Sequence, residues 1–425
     1  MSRLVLGLLI ALPAGRAMAW GEWGHHLVGR TAARLIVHHP ALAPLRAGTP
    51  AERRAAAALV EVFDGKWIQQ GHLGNIPDNH WKNLEGGLSE DGRLLGDAAH
   101  FLDMEYLADE KALAAGTALP LPLGFDAAKA VAAQRRPDTV FFRQGGTLPW
   151  RTAQLTELYR GSLSRQPPPP CAKADSDNPP MREALAYAGI LSHFVADATQ
   201  PYHVTEDYDG VGTRQKGIHA YFEITILNEL GENLGAQVAA RARELVEAPA
   251  SRRGSVAWFR AEVARHYGSL QPESETIALM LVLAQDSYLR IPDVAALDRR
   301  YAIDPPVPDN PCGDGQKTMP CRRPPRTRVK GKTVARHFEP LVVERLALAA
   351  ALTTDLWVRG WLATQRPELC WAWTYALKPS FVSPTDKTCL GYALQEGPET
   401  LLRKDGTSAL PWKQPAPSPD RCLGF

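Results

Sequence analysis

The sequence lacks the features that define several common protein classes. Beyond its N-terminal segment it has no apolar run close to the roughly 20 residues that a transmembrane helix needs. It has no cysteine pair spaced C-x-x-C, which argues against a zinc ribbon. The formal net charge is only +2, so a surface built to coat nucleic acid is not indicated. No repeat and no series of alternating strand-like segments is present.

The N-terminal segment has the pattern of a secretory signal peptide. Arg3 supplies one positive charge, residues 4–12 are apolar, and Ala17-Met18-Ala19 forms an A-x-A cleavage pattern just before Trp20. The apolar run is too short for a permanent span, although an N-terminal membrane anchor is the alternative. The sequence therefore predicts that residues 1–19 are removed. The mature chain would begin at Trp20 and be secreted or periplasmic.

The cysteines are interpreted as structural. Their number is even, and all follow the predicted cleavage site, which indicates up to three disulfide bonds in an oxidising compartment. Cys312 and Cys321 lie in one Pro/Gly-rich loop and are the candidate local pair. The six residues are Cys171, Cys312, Cys321, Cys370, Cys389 and Cys422.

Helical periodicity dominates the rest of the chain, so the expected fold class is mainly α. Prolines cluster in runs at 167–170, 305–311 and 323–325, which mark loops between helices. One segment, 275–289, is apolar on most faces and is expected to be a central buried helix. The predicted helices are 25–37, 182–198, 219–230, 234–246, 256–267, 275–289 and 342–362. The expected organisation is a helical domain over 20–290. Residues 291–425 would form a Pro/Cys-rich loop, a long helix and a C-terminal extension that pack on the same domain.

Histidines and carboxylates recur at a spacing that suits metal binding. In 193-HFVADATQPYH-203, His193 and Asp197 are four residues apart and project from one helical face, while His203 follows the helix-ending Pro201. His219 and Glu223 repeat the same spacing on the next helix. Two such pairs and a nearby histidine indicate a multi-metal site between helices. Nitrogen and carboxylate ligands without thiolate suit zinc.

Further candidate ligands lie upstream. His25 follows closely after the predicted mature N-terminus, whose α-amine and carbonyl oxygen at Trp20 could chelate one ion. Asp78 and His100 supply additional carboxylate and imidazole ligands.

This ordered set of motifs resembles the superfamily that joins bacterial zinc-dependent phospholipases C to fungal single-strand-specific zinc nucleases. The resemblance rests on W-G-x-x-G-H at a processed N-terminus, on H-F-x-x-D-x-x-Q-P-x-H and on H-x-x-x-E, and it spans roughly residues 20 to 290. It implies a mainly helical fold that holds three Zn²⁺ ions at the bottom of a cleft. The region after about Pro292 has no counterpart in the family.

The resemblance implies three ligand groups, with one carboxylate shared between two of them. The first group is Asp78, His100, His193 and Asp197; the second is Trp20, His25 and the bridging Asp197; the third is His203, His219 and Glu223. The stretch between Asp78 and His100 is longer than is usual in the family, and Asp64 is the alternative ligand. The remaining histidines of the region match no ligand position and are interpreted as surface or supporting residues: His26, His38, His39, His72 and His80.

The expected activity is hydrolysis of a phosphodiester. Zinc ions that share a carboxylate can activate water and offset the charge on phosphoryl oxygens, and Asp78 is the candidate catalytic residue, since a free oxygen could orient that water. Phe101 is the candidate substrate-binding residue, as a wall for a choline head group or a stacking platform for a base.

The substrate class depends on a few details. Glu223 and the short loop from His203 to His219 favour phospholipase C acting on phosphatidylcholine-type lipids, whereas Thr199-Gln200-Pro201 is more typical of the nucleases. A single-strand-specific nuclease or 3'-nucleotidase is therefore the alternative, and a non-catalytic secreted zinc-binding protein is the second. A structural helical protein with incidental histidines is a third. The aromatic cluster 371-WAWTY-375 and the basic stretch 322-RRPPRTRVKGK-332 suggest transient contact with a membrane surface or nucleic acid, although a packing cap and a solvated loop are the simpler readings.

Overall fold

The computed structural model describes residues 20–66, 73–75, 77–78, 98–116, 119–139, 141–165, 179–231, 233–303 and 327–364. The predicted signal peptide and all six cysteines lie outside the described residues, as do the proline runs, the segment 371–375 and two histidines, His72 and His80.

The described chain is mainly helical, as the sequence predicts, and contains no β-strand, only two isolated bridges. We number its α-helices in chain order. They are α1 Gly21–Leu35, α2 Ala43–Ala47, α3 Pro50–Val60, α4 Glu110–Ala114, α5 Phe125–Arg135, α6 Phe141–Gln144, α7 Leu148–Ser164, α8 Pro179–Thr199, α9 Ile218–Ala220, α10 Leu227–Leu230, α11 Leu234–Glu247, α12 Val256–Tyr267, α13 Pro272–Tyr288, α14 Ile291–Leu297 and α15 Lys332–Ala363. A π-helical turn, Tyr221–Ile226, joins α9 to α10 without a break. None of the described helices is long and apolar enough to cross a membrane.

The core is one continuous cluster that extends from Trp20 to Trp361. Helix α15 lies against α1, α8 and α11, and α13 lies against α7 and α8. Residues 276–287 of α13 are all buried, so the predicted central buried helix is confirmed. Burial on every face explains why this segment lacks a polar stripe.

The sequence prediction omitted the helices α2 to α7 and α14, and it placed the start of α15 too late. Helix α15 begins at Lys332 and not at position 342. A proline usually ends or precedes a helix, but here Pro340 lies inside the helix. Pro340 has no N–H, so the carbonyl of Arg336, four residues earlier, receives no helical hydrogen bond. Both residues lie on the exposed face of the helix, where water can bond to that carbonyl. Helix α7 was missed altogether. Its buried face carries polar residues such as Thr152 and Thr156, whose hydroxyls bond back to the preceding turn.

The C-terminal end of α8 is held by groups from α13 and α15. Arg345, which is fully buried, donates from Nε to the carbonyl of Thr199 at 2.9 Å. Ser287 donates to the carbonyl of Ala198 at 2.6 Å. Arg345 also donates to Asp286 Oδ2 and to Ser287 Oγ, both at 2.7 Å. The last carbonyls of α8, which have no partner within the helix, thus accept hydrogen bonds from side chains of the neighbouring helices.

We expect the substitution Arg345→Met to lower the free energy of unfolding by about 3–5 kcal/mol, because it leaves the carboxylate of Asp286 buried without its partner. The double variant with Asp286→Asn should recover part of that loss, since neither side of the pair is then charged. Urea denaturation of the three proteins measures both effects. Equal stability of the wild type and Arg345→Met would show that this ion pair contributes nothing.

Candidate metal centre

Helix α8 provides two of the candidate ligands on one face. His193 and Asp197 are both completely buried, and His193 Nε2 lies 3.2 Å from Asp197 Oδ2. Pro201 then begins a short 3₁₀ turn that ends at His203 and brings this ring back towards the helix end. The sequence motif therefore folds as its spacing predicts.

A first cluster forms where His100 meets α8. His100 Nδ1 lies 2.9 Å from both Asp197 Oδ2 and His193 Nε2. Asp78 lies beside them, with Oδ1 at 3.8 Å from His100 Nδ1 and 3.9 Å from His193 Nε2. The structure thus brings together the four residues of the first predicted group. Asp64, the alternative to Asp78, is half-buried in the π-helical turn Glu61–Lys66 and belongs to none of the candidate metal-binding groups among the described residues.

His25 joins this cluster from α1. Its ring stacks on His193 with centroids 3.8 Å apart, and its Nε2 lies 3.6 Å from Asp197 Oδ1 and 3.8 Å from Asp78 Oδ2. Neither ring nitrogen of His25 has a hydrogen-bond partner within the described part of the chain. Complete burial, together with the neighbouring His193, lowers the pKa of His25 to about 3. The ring is therefore neutral and can offer a lone pair.

A second cluster forms between the end of α8 and the helix that follows. His219 Nε2 lies 3.1 Å from His203 Nε2 and 2.9 Å from Glu223 Oε2. Glu223 sits in the π-helical turn after α9, a local geometry that is frequent at functional sites. Burial alone would raise the pKa of Glu223, but His219 and His203 lower it to about 2. The carboxylate is therefore charged. These three residues are the third predicted group.

Backbone carbonyls orient two of the rings. His193 Nδ1 lies 2.7 Å from the carbonyl oxygen of Gly74, and His203 Nδ1 lies 2.6 Å from the carbonyl oxygen of His100. A carbonyl only accepts, so each Nδ1 carries the proton, and the Nε2 of the neutral ring presents its lone pair to the cluster. Gly74 and its role were not predicted, since a carbonyl that orients a ring has no side-chain signature.

The distances within both clusters fit a bound metal ion. Ligand atoms at about 2.0–2.1 Å from a tetrahedral ion are roughly 3.3 Å from one another. The three contacts of the second cluster are 2.9, 3.1 and 3.5 Å, which bracket that spacing. Asp197 Oδ1 and Glu223 Oε1 are buried without a hydrogen bond to any described residue. The buried His/Asp/Glu clusters can therefore hold metal ions.

Trp20 is completely buried beside the second cluster. Its indole Nε1 donates to the carbonyl of Ala196 at 2.8 Å, and its ring lies against Phe222 with centroids 5.5 Å apart. Its backbone nitrogen lies 3.3 Å from Glu223 Oε2. The sequence grouped Trp20 with His25 and Asp197, whereas its recorded contact is with a residue of the third group.

Two aromatic residues are close to cluster residues, Phe101 in the chain and Tyr208 in space. Phe101, next to His100 in the chain, is half-buried, and its carbonyl approaches closely to Gly146, whose φ of +86° and missing Cβ allow this. Tyr208 is 43% exposed and meets the ring of His219 edge-on at 6.1 Å. Tyr208 was not singled out from the sequence, because the loop from His203 to His219 has no periodic pattern that predicts its position.

Gln200 is a further residue whose contact the sequence did not identify. Its amide donates to Glu223 Oε2 at 3.0 Å, and its carbonyl accepts from Tyr202 N at 2.5 Å. The signal was present, because Gln200 stands inside the motif between Asp197 and His203. Gln200 thus orients the carboxylate of Glu223 and starts the turn that positions His203.

The unassigned histidines differ from the prediction in one case. His38 is on the surface and lies 3.4 Å from Glu247, as expected. His39, in contrast, is buried, with Nε2 at 3.2 Å from Asp355 Oδ1, far along the chain in α15. Asp355 also pairs with Arg260 and Arg359, so His39 belongs to a separate ion-pair network between helices.

In comparisons with known proteins, no family model matches the chain, and neither a curated protein nor a solved structure matches it. The arrangement of the described residues is therefore the basis of any functional assignment.

Proposed function

We propose that this protein is a zinc-dependent phosphodiester hydrolase with a trinuclear site of the phospholipase C/nuclease type. The observation that carries the proposal is the convergence of eight ligand-type side chains, from five separate segments of the chain, in two adjacent buried clusters. Simple histidine–carboxylate pairs explain this poorly, because histidine nitrogens also face one another directly, at 2.9 and 3.1 Å, beside the carboxylates of Asp197 and Glu223. A metal ion can accept the lone pairs of both rings of such a pair at once.

The assignment of residues to ions follows from the clusters. Asp78, His100, His193 and Asp197 would hold one ion, and His203, His219 and Glu223 another. His25 would hold a third, together with Asp197 and the amine of Trp20 once the chain is processed. Bound zinc would supply Lewis acidity for water activation and charge for the phosphoryl oxygens.

The chain's own residues would prepare this chemistry. Carbonyl groups of Gly74 and His100 fix the ring tautomers, and Gln200 orients Glu223. Asp78 lies within 4 Å of three histidine nitrogens and is the candidate for orienting the attacking water. Phe101 and Tyr208 would flank the substrate beside the two clusters.

For the substrate, we favour a phosphatidylcholine-type lipid. Glu223 as the last ligand and the short connection from His203 to His219 support this choice. A single-strand-specific nuclease is the alternative, and the motif Thr199-Gln200-Pro201 favours it. We further propose export by the segment 1–19, with disulfide bonds among the six cysteines in a secreted or periplasmic protein.

A parallel assay tests the substrate. The protein that begins at Trp20 is incubated with phosphatidylcholine, single-stranded DNA and nitrophenyl phosphocholine, and zinc is counted by elemental analysis. We expect zinc to be bound, with hydrolysis of the lipid and the chromogenic ester. Degradation of DNA alone would make the protein a nuclease. Bound zinc without turnover would make it a zinc-binding protein, and fewer than two ions per chain would refute the metal assignment.

Acidification should remove metal from the two clusters in a defined order. Burial alone would lower the pKa of His203, but Asp197 and Glu223 raise it above the ordinary value of 6.5. Protons therefore compete for His203 Nε2 already near neutral pH, and more strongly as pH falls. The pKa of His25 is lowered to about 3, so its ring stays neutral throughout the mild acid range.

We expect the ion held by His203 to leave first as pH is stepped from 8 to 5. Equilibrium dialysis at each pH, followed by elemental analysis, gives the ions per chain. The substitution His203→Ala should abolish the first step, whereas His38→Ala, at a surface histidine, should leave it unchanged. Simultaneous loss of all ions in one transition would contradict the expected order.

A further inference from the structure

A second feature of the molecule lies on segments that the metal clusters do not use. The segment 298–303 runs beside the segment 327–337, held by a hydrogen bond from Val329 N to the carbonyl of Ala302 at 2.8 Å. Tyr301 also stacks on His337, with ring centroids 3.7 Å apart and planes 5° from parallel. Five exposed cations project from these segments, and we call them the basic face: Arg299, Arg300, Lys330, Lys332 and Arg336.

The basic face concentrates positive charge on two described segments that contain few acids. The two segments contain six Lys and Arg residues but one acid, Asp298, whereas the whole chain has a net charge of only +2. Asp298 is buried and is neutralised by Arg328, whose Nε lies 2.7 Å from its Oδ1. Within the described part of the chain, no ion pair involves any of the five exposed cations. Their charge is therefore available to an outside partner.

An exposed aliphatic side chain lies in the same surface. Val329 is 39% exposed and is one of only three large hydrophobic residues exposed in the described structure. Its backbone is anchored, because its carbonyl accepts from Tyr221 Oη at 2.5 Å and its amide donates to Ala302. Lys330 follows it directly in the chain. An exposed apolar side chain on the same segment as exposed cations suits the boundary between lipid head groups and acyl chains.

The aromatic groups of this surface argue against a nucleic-acid partner. Base recognition on single strands uses aromatic rings that are free to stack. Tyr301 is already covered by His337, and the guanidinium of Arg300 lies 5.1 Å from its ring centre. The surface offers charge and an aliphatic contact, but no vacant platform at Tyr301.

The basic face is also joined to the metal-binding elements. Arg328 donates to the carbonyls of Gln215 and Lys216, in the loop that leads to His219. Tyr221, which bonds to Val329, lies between His219 and Glu223 in the chain. Direct contacts therefore connect the segment of the basic face to the loop and the turn that carry His219 and Glu223.

We propose that the basic face docks the protein on anionic phospholipid surfaces. The cations contact the head groups, and Val329 enters the boundary of the acyl region. The benefit to catalysis rests on the proposed lipid activity, but the docking itself is a binding property and is measured without turnover.

Vesicle co-sedimentation tests the docking. The mature, metal-loaded protein is mixed with vesicles of phosphatidylcholine alone or with an added fraction of phosphatidylserine, at low and high salt, in a brief incubation on ice that keeps hydrolysis small. The test variant is R299Q/K330Q/K332Q. The matched control, R30Q/R34Q/K111Q, neutralises three exposed cations elsewhere on the molecule. A third variant, Val329→Asn, removes the aliphatic contact, and thermal melts verify that all variants are folded.

We expect strong binding only to the phosphatidylserine vesicles, with loss at high salt. The test variant should bind on the order of 100-fold more weakly, since each surface cation contributes about 1 kcal/mol to membrane attraction. The control variant should bind like the wild type, and Val329→Asn should bind more weakly without changing the salt dependence.

Three results would overturn the proposal. One is equal binding to neutral and anionic vesicles, another is unchanged binding by the test variant, and the third is binding of a single-stranded oligonucleotide in place of the vesicles. Hydrolysis of soluble nitrophenyl phosphocholine by the test variant distinguishes the two proposals. Normal turnover with lost docking supports the basic face, whereas docking by a protein without turnover refutes only the enzymatic assignment.

Discussion

The substitution Asp197→Asn should strip metal from the site and reduce hydrolysis of nitrophenyl phosphocholine more than any other single change of similar size. Asp197 has one oxygen at 2.9 Å from His100 and 3.2 Å from His193 and the other at 3.6 Å from His25, and each of these contacts is shorter than the corresponding contact of Asp78. Mutation of residues that merely support a ligand typically reduces activity about 10- to 100-fold, so loss of the shared ligand should reduce it at least about 1,000-fold. An asparagine keeps the shape but removes the charge that offsets the cations.

Two further variants serve as the comparison and the control for Asp197→Asn. Glu223→Gln removes the charge of one ligand of the second cluster, so it should release one ion, whereas Asp197→Asn should release the ions on both of its sides. Asp126→Asn, at a largely exposed aspartate on α5, is the surface control and should keep full metal content and rate. If Asp197→Asn retains all its zinc and its rate, Asp197 does not bridge metal ions, and the proposed assignment fails.

Adding one alanine before Trp20 should remove one ion and most of the activity. The indole of Trp20 is locked by Ala196 and Phe222, and its backbone nitrogen lies 3.3 Å from Glu223 Oε2, so this nitrogen is held at the site. In the mature chain it is an amine with a lone pair, whereas in an extended chain it is an amide, which is a poor ligand. We expect a decrease of about 100-fold in turnover, comparable to loss of a supporting group at a metal site.

The comparison needs a mature chain, the extended chain, and a chain extended by one alanine at its C-terminus as the matched control. Acetylation of the mature N-terminus should reproduce the defect of the extended chain, because it converts the same amine to an amide. Full zinc content and full activity in the extended protein would remove the N-terminal ligand from the proposal. The ligands from His193 to Glu223 would be unaffected by that outcome.

The sequence was most informative where spacing determines geometry. Residues four apart on a helix must share a face, so the pairs His193 with Asp197 and His219 with Glu223 could be predicted from the motif alone. Helices with a clear apolar stripe or a fully apolar run, such as α1 and α13, could be predicted for the same reason. The ligand pairs and these helices both follow from local periodicity and do not depend on contacts with distant parts of the chain.

What could not be predicted depends on contacts between distant segments. Arg345 meets the end of α8 only after α15 has packed, and nothing in its own neighbourhood in the sequence indicates that it is buried. The sequence predicts a surface or supporting role for His39 and does not reveal its burial, since its partner Asp355 lies far along the chain in α15. Helix α7 was hidden because its buried positions include threonines and Gln154, so the apolar pattern was interrupted.

The carbonyl groups of Gly74 and His100, which orient the rings of His193 and His203, have a consequence for mutational scanning of this protein. A scan of substitutions replaces side chains and leaves every main-chain carbonyl in place, so it would not register these two contacts. Position 74 should still be intolerant, because a Cβ there would lie 3.2 Å from Ser192 Oγ and 3.3 Å from the carbonyl of His25. Backbone amide-to-ester replacement at the bond after Gly74 would weaken the acceptor itself and report on its contribution to metal affinity.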